Sequence, residues 1–346
     1  MRICILSHFR IRYTIEEHYE QTRILNEIEK RGHIGEVLRL PFPPARAQRT
    51  AVNEAMNPWE AAKSTPEQKL WVPTYFAKVL FDLETDPLNL EGEPDPLPDI
   101  VILRNSLSPD FCGKYNELFE LYKNANVTVV NDIDQHIKMG NSKAEVYRAL
   151  QNANVPIPKT LILPYPLSAD DKNLIATEVG YPCVVKLPFG YEGRQVELCG
   201  SVDEIDSVLA ELVISEVAPT TEVIFQEFIE DCFHTYSTHI VGDFINADIR
   251  TGNPNCTSAF KASSLDGNMR FQFEVDSDLE KITKDALAAI DLDFARFDFV
   301  RKNGQYLVLE ANVSGTFTRT ENCNRRNIAG ALVDHAIAVH NRKNQT

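Results

Sequence analysis

The sequence predicts an α/β layer unit over residues 1–130, followed by a longer α+β region running to about residue 344. Two observations set that order. Buried-type strands alternate with helical stretches in the first third, and from "TLIL" (160–163) onward strands outnumber helices. A third observation places the chemistry: near the end, Asn303-Gly304 joins two short strands that each bring an acid or an amide to one end.

The elements follow in order. "RICILSHF" has the short apolar character of a buried strand, and "TIEEHYEQTRILNEIEKRGHIGEVLRL" carries Ile15, Leu25 and Ile28 at helical spacing up to Gly32 before a second strand. Residues 41–98 are proline-rich at both ends with an amphipathic middle, which reads as an insertion bordered by loops. "PDIVILRNS" and "ANVTVVND" are two more buried-type strands, separated by the helical stretch "YNELFELYKNA". Beyond residue 130 the composition changes. "NSKAEVYRALQNANVPIP" is a helix with a Ser142 start signal, stopped by Pro156 and Pro158. The strands "CVVKLPF", "QVELCG", "EVIFQEFI", "YSTHIVGDFINADIR", "MRFQFEV", "ARFDFV" and "QYLVLEAN" then alternate with the helices "VDEIDSVLAEL", "SDLEKITKDALAAI" and "NIAGALVDHAIAVH".

Bulk properties bound the function. The 346 residues suit two domains or three small ones, and 35 basic against 50 acidic residues give a formal charge of −15. Binding to a polyanion begins with clustered Lys and Arg on phosphates, so no nucleic-acid partner is expected; small molecules or peptides are. The seven cysteines include no CxxC pair, which argues against a disulfide framework and a thiolate zinc site and fits a reducing cytoplasm. No signal peptide and no membrane-length apolar run is read, so no membrane partner is expected either.

In "ARFDFVRKNGQYLVLEANVSG" register decides whether the acids meet. A two-residue loop pairs Asp298 with Leu309, whereas a third loop residue or one bulge pairs Asp298 with Glu310, and the second arrangement is the one expected. Facing carboxylates repel unless a cation lies between them, and Asn312 adds a neutral oxygen on the same face as Glu310. Such oxygens suit a hard cation such as Mg²⁺, with Mn²⁺ as an alternative. The hairpin alone equally fits solvated strand-end charges. Gly315, just beyond, reads as room for a phosphate or acyl group.

Two further stretches carry polar residues on apolar strands. Lys186 ends "CVVK" before a loop containing Gly190 and Gly193, whose backbone N–H groups suit phosphate oxygens, although a snorkelling lysine and an ordinary turn read the same way. The loop is not a Walker A motif, since no GK[ST] follows. "EVIFQEFI" carries Gln226, Glu227, Phe228 and Ile229, an extended segment that suits an adenine edge beside a cleft.

Taken together and in order, these stretches resemble an ATP-grasp ligase, and more closely the RimK-like branch with its relatives among glutathione synthetases and amino-acid-to-protein ligases. The resemblance covers residues 131 to about 340. It implies a Rossmann-like pre-ATP-grasp domain over 1–130 and a two-subdomain ATP-grasp fold over 131–344, with a small lid subdomain at about 156–228. By resemblance, Lys143 and Lys186 match the lysines that hold nucleotide phosphates, and "FGYEGRQ" with Gly190 and Gly193 matches the mobile glycine loop. Gln226, Glu227, Phe228 and Ile229 match the adenine hinge, and Asp298, Glu310 and Asn312 match the magnesium ligands. Lys261 falls where the family has a basic residue facing the phosphates or the acyl group, and Arg296, beside the metal strand, joins it as a candidate catalytic group. Thr235 and Ser237 depart from the pattern, standing where the branch carries an acid and a phosphate-facing arginine. Arg194 in the loop is the candidate replacement for that guanidinium.

The implied function is ATP-dependent, ADP-forming ligation of a small-molecule carboxylate to an amine or short peptide through an acyl phosphate, with ATP and Mg²⁺ as cofactors. A homo-oligomer is expected. The alternatives are a nucleotide-binding module without ligase activity and an ATP-grasp kinase. Arg319, Arg325 and Arg326, which equally read as a solvated helix start, and Ser7, His8 and Arg10 after the first strand are the candidate substrate contacts.

Overall fold

The computed structural model describes residues 1–8, 14–40, 97–104, 118–188, 195–214, 221–230, 234–251 and 269–345. Most of the 41–98 insertion, together with Arg10, Gly190, Gly193, Arg194 and Lys261, lies outside the described residues, and for His8 only the backbone is described. Three sheets organise the rest.

The first sheet has the order β2-β1-β3-β4, from strands Arg2–His8 (β1), Ile34–Leu40 (β2), Ile100–Leu103 (β3) and Thr128–Val130 (β4), all parallel. Parallel strands are buried on both faces, which is why "IVIL" carries no polar residue. One face packs on Ile24 and Ile28, four apart on helix α1 (Thr14–Lys30), and on Leu332, Val333 and Ala336 of the last helix; the other covers Cys4, Leu6, Val101 and Leu103 with Phe119 and Tyr122. The chain's final helix therefore completes the core of its first sheet.

After β4, Asn131 turns the chain in the left-handed region (φ 63°) and joins the sheets. Its side chain accepts from the amides of Asp293 (2.8 Å) and Phe294 (3.0 Å) and donates to the Phe294 carbonyl (3.1 Å), the two bonds to Phe294 being buried. Helices α2 (Ile133–Asn141) and α3 (Lys143–Asn152) follow. Ser142 accepts from the amide of Glu145, the start signal expected from sequence, because a serine oxygen satisfies an otherwise orphaned N–H.

The second sheet, β5-β8-β6-β7, is antiparallel and built from Thr160–Pro164 (β5), Cys183–Lys186 (β6), Val196–Cys199 (β7) and Glu222–Glu227 (β8). Alternation sorts its two faces. Val185, Val223 and Phe225 pack on Ile175 and Val179 of the π-helical turn Ile175–Val179, which continues helix α4 (Ala169–Leu174), and on Ile205 and Leu209 of α5 (Ile205–Ile214), whereas Lys186, Gln226 and Thr160 point the other way, toward α3.

The third sheet, β11-β10-β9-β12-β13, is also antiparallel: His234–Val241 (β9), Phe244–Thr251 (β10), Met269–Gln272 (β11), Phe294–Lys302 (β12) and Gln305–Asn312 (β13). One face carries Ile240, Ala247, Phe297, Phe299 and Val308 onto α3 and α6 (Ser277–Ala289). The opposite face is polar. It lies under the segment leading into α7 (Thr318–Asn324), and α8 (Ile328–Lys343) then returns to the first sheet. Among the described residues no helix is long and apolar enough to cross a membrane.

Asn131→Ala strips three backbone groups, two of them buried, of their partner and places alanine at a positive φ. It should lower unfolding free energy by ~2 kcal/mol or more in urea titration; a loss under ~0.5 kcal/mol would mean Asn131 does not hold the sheets together.

Candidate active site

The Asn303-Gly304 turn is a two-residue loop in which both residues have positive φ (51° and 83°), the conformation that matches strand twist and favours asparagine and glycine. From Lys302–Gln305 the ladder runs regularly to Phe299–Val308. It then shifts: Asp298 lies opposite Glu310, and Leu309 is the extra residue. The expected meeting of the two carboxylates thus comes from a bulge rather than from a third loop residue. In the unbulged register Glu310 would lie opposite Phe297 and its carboxylate would enter the apolar core.

The row continues through the sheet. Gln272, Asp248, Ser237, Asp298 and Glu310 are successive cross-strand neighbours on one face, flanked by a row of Asn246, His239, Arg296 and Asn312 and another of Arg270, Arg250 and Thr235. Asp298, only 6% exposed, accepts from Ser237 Oγ (2.6 Å) and Arg296 Nη2 (2.8 Å) and pairs with Arg250 Nη2 (2.8 Å). Burial pushes its pKa up, but the Arg250 and Arg296 guanidiniums and the Ser237 hydroxyl outweigh it and hold the carboxyl well below the usual range. Asp248, fully buried, receives both Nη1 contacts of Arg270 at 3.0 Å and the Thr320 hydroxyl. Burial lowers the Arg270 pKa to about 10, with Asp248 opposing.

Three oxygen-bearing groups, Asp298, Glu310 and Asn312, therefore share one face at the end of the hairpin. Their donor chemistry, two carboxylates and an amide oxygen, fits a hard divalent cation, although the Asp298 oxygens already take four donor contacts, from Ser237, Arg250 and Arg296, so that Asp298 reaches a cation only by giving one of them up. Only two acids take part, and no group of three or more His, Cys, Asp or Glu able to hold a metal occurs among the described residues. Gly315 is not room for a ligand. A Cβ there would lie 2.7 Å from Arg296 Cβ, so the glycine lets the chain cross the arginine's stem.

Two lysines approach the same end. Lys143, the first residue of α3, has Nζ 3.5 Å from Glu310 Oε1, and its amide donates to the carbonyl of Pro188, just past Lys186. Lys186 is 7% exposed and does not snorkel: Nζ donates to Gln226 Oε1 (2.6 Å) and to the Tyr147 hydroxyl (2.8 Å), both neutral. Burial pushes its pKa down to about 8, with the Glu310 charge opposing.

The "QEFI" segment is only partly open. Gln226 is buried and spends its amide on Thr160 (2.9 Å); Glu227 forms an ion pair with Lys302, and its N–H donates to Lys159 O (2.8 Å). Phe228 is half-buried. Ile229 packs with Val300 and Leu307, and Leu309 leans on them, forming a small apolar cluster beside the carboxylates. That cluster can take the face of a planar ring.

Other candidates are placed differently. Ser7 is buried and accepts from Gln21 Nε2 (2.8 Å), so it serves the packing of β1 on α1 rather than standing open at the strand end. Arg325 closes α7 in the left-handed region, and exposed Arg326 is spent on the Ile245 carbonyl (2.7 Å) and the Phe244 ring; Arg319 is exposed on α7. Among the described residues, Arg296 donates to Ser237 Oγ (3.3 Å) and Arg250 pairs with the Asp298 carboxylate that Ser237 also meets. Asp248 and Arg250 were not picked out from the sequence, although their period-two spacing on "NADIR" was a usable signal, and neither was Arg270 on the neighbouring β11. Glu20 and Arg104 left none: from α1 and from just past β3 they form a buried ion pair (2.7 Å), Glu20 accepts from the amide of Thr318 (2.9 Å) and from that of Phe317, and Arg104 donates to Gly315 O (3.2 Å).

Comparison with known proteins defines the class by fold. The structure is similar to that of a RimK domain ATP-grasp protein from Sphaerobacter thermophilus, at 14% identity with a TM-score of 0.58 over 97% of this chain and 100% of that one. The RimK-like ATP-grasp domain model matches residues 140–336, more than half of the chain, and the protein belongs to that family. A probable alpha-L-glutamate ligase of Legionella pneumophila is 25% identical over 252 residues, 70% of this chain and 78% of that protein. An alpha-aminoadipate–LysW ligase of Saccharolobus solfataricus is 26% identical over 219 residues, 62% and 76% of the two chains.

Lowering the Lys186 pKa from its ordinary 10.5 to about 8 costs about 3 kcal/mol at neutral pH. The unfolded chain binds the extra proton between those two values, so stability relative to a Lys186→Met variant should rise from pH 8 to 10.5. Anion binding needs the ammonium and should show the opposite trend: calorimetric ADP affinity falling above pH 8 in the native protein, with no such limb in K186M. A flat native profile would contradict the lowered pKa.

Proposed function

We propose that the chain is an ATP-dependent, ADP-forming carboxylate–amine ligase whose reaction centre is the polar end of the β12–β13 hairpin. The observation that carries this is the bulge at Leu309, which sets Asp298 and Glu310 side by side with Asn312 on the same face and Lys143 within 3.5 Å. Family membership supports ATP-dependent amide formation. When bound, ATP supplies the phosphoryl group that converts a carboxylate into an acyl phosphate, and Mg²⁺ offsets the charge that this step concentrates.

The protein's own residues then have three tasks. Asp298, Glu310 and Asn312 hold the cation, while Lys143 and Lys186 neutralise phosphate oxygens. The Ile229, Val300, Leu307 and Leu309 cluster receives the adenine ring beside the "QEFI" hinge. The unit at about 156–228 acts as the lid, carrying Lys186 over the nucleotide and excluding water.

For the substrate, three guanidiniums, Arg250, Arg270 and Arg296, face two carboxylates, Asp248 and Asp298, so that among the described residues positive charge exceeds negative on this part of the polar face when Glu310 is given to Lys143 or to the metal. A surplus guanidinium suits a substrate carboxylate. The relatives named for ligation of glutamate and of alpha-aminoadipate support an acidic amino acid as one partner.

ADP release with Mg·ATP should require both a carboxylate and an amine. Release with the carboxylate alone would favour the kinase reading, and binding without turnover by any mixture would sink the ligase reading. Glu310→Gln preserves shape and removes one anionic ligand; it should lower turnover at least about a hundredfold with the melting temperature nearly unchanged. Unaltered turnover would overturn the metal assignment.

A further inference from the structure

Tyr147 has no part in the assignments above, yet it sits where they meet. It lies one turn after Lys143 on α3 and is 2% exposed, and its hydroxyl does two things at once. It donates to the carbonyl of Leu309 (2.6 Å) and accepts from Lys186 Nζ (2.8 Å). Leu309 is the bulged residue, whose backbone has lost its place in the regular ladder, so a donor from outside the sheet must satisfy its carbonyl.

We propose that Tyr147 is the positioning residue of this site, its hydroxyl locking the Leu309 bulge that sets Asp298 opposite Glu310 while holding the Lys186 ammonium in place for a nucleotide phosphate. This rests on the nucleotide and metal reading given above. The ring alone would fill the space in the core, where Tyr147 packs with Leu150, Ile224 and Val308; a phenylalanine would do the same. The hydroxyl is the part that packing does not require. Its loss leaves the Leu309 carbonyl without this donor, and a one-residue slip that reabsorbs the bulge turns Glu310 away from Asp298. The same loss removes one of the two neutral acceptors of Lys186, leaving Gln226.

Burial, with Glu310 adding to it, raises the Tyr147 pKa, so the hydroxyl keeps its proton and remains a donor. The charged groups acting on the Tyr147–Lys186 pair are Glu310 from β13 and Lys143 from α3.

The test compares Tyr147→Phe with the native protein in three measurements: thermal melting, Mn²⁺ titration in the presence of ADP by electron paramagnetic resonance, and ADP calorimetry across pH 6.5–9.5. In Y147F, Mn²⁺ affinity is expected to weaken about tenfold, the loss of one hydrogen bond to a buried carbonyl. The pH limb of ADP binding is expected to move below 8, because an ammonium with fewer acceptors gives up its proton more readily. A merely structural hydroxyl would lower the melting temperature and leave both readouts in place. Native Mn²⁺ affinity and an unmoved limb in folded Y147F would overturn the proposal while leaving the nucleotide reading intact. A native protein that binds no ADP would overturn both. Should Y147F fail to fold, Tyr147→Met serves in the same assays, and failure of both to fold would replace positioning with a purely structural role.

Discussion

One unpaired residue in a strand governs which polar groups of this molecule meet. The side-chain period of a strand is two, so without the bulge at Leu309 every residue of β13 beyond it would exchange faces relative to β12. Glu310 and Asn312 would then enter the core with Phe297, a cost no fold of this size sustains. With the bulge, the inner part of the hairpin pairs Phe299 with Val308 on the apolar side, and the end of the same hairpin presents oxygens on the polar side. The Tyr147 hydroxyl, reaching in from α3, satisfies the carbonyl that the bulge displaces.

The polar face is expensive for the same reason that it is useful. Asp248 and Asp298 are nearly inaccessible to water, and both are tolerated because guanidiniums lie within hydrogen-bond distance. Lys186 takes the opposite course. Its ammonium is buried, and among the described residues its hydrogen-bond acceptors, Tyr147 and Gln226, are neutral, so burial lowers its pKa with only the Glu310 charge opposing. A centre that accepts an anion benefits from a cation held this way, because the stability lost in the free protein is recovered on binding.

The first sheet takes part in this arrangement through the segment after β13. Phe317 packs in the core that α1 and α8 build on the parallel sheet, and Arg104 stacks over its ring while pairing with Glu20. Glu20 in turn accepts from the amides at the start of α7. Residues from the opening of the chain thus fix the path of the chain just past Asn312, and Gly315 lets that path cross Arg296 without a clash.

Local signals carried the elements: the apolar runs of the strands, the Ser142 cap, the Asn303-Gly304 turn, and the two acids and the amide on the last hairpin were all legible in order along the chain, as was the choice between two registers. Each depends on neighbours a few residues away, which a sequence displays directly. What carries the bulge, what surrounds Asp298 and what partners Lys186 were not legible, because those contacts join Tyr147 to Leu309, Arg250 to Asp298 and Lys186 to Gln226 across 40 residues or more. Nor was buried Arg250 legible, which from a neighbouring strand pairs with Asp298. Sequence alone determined which groups could do chemistry; only the tertiary structure decided which of them meet, because charge and hydrogen bonding act through space and register is set by packing.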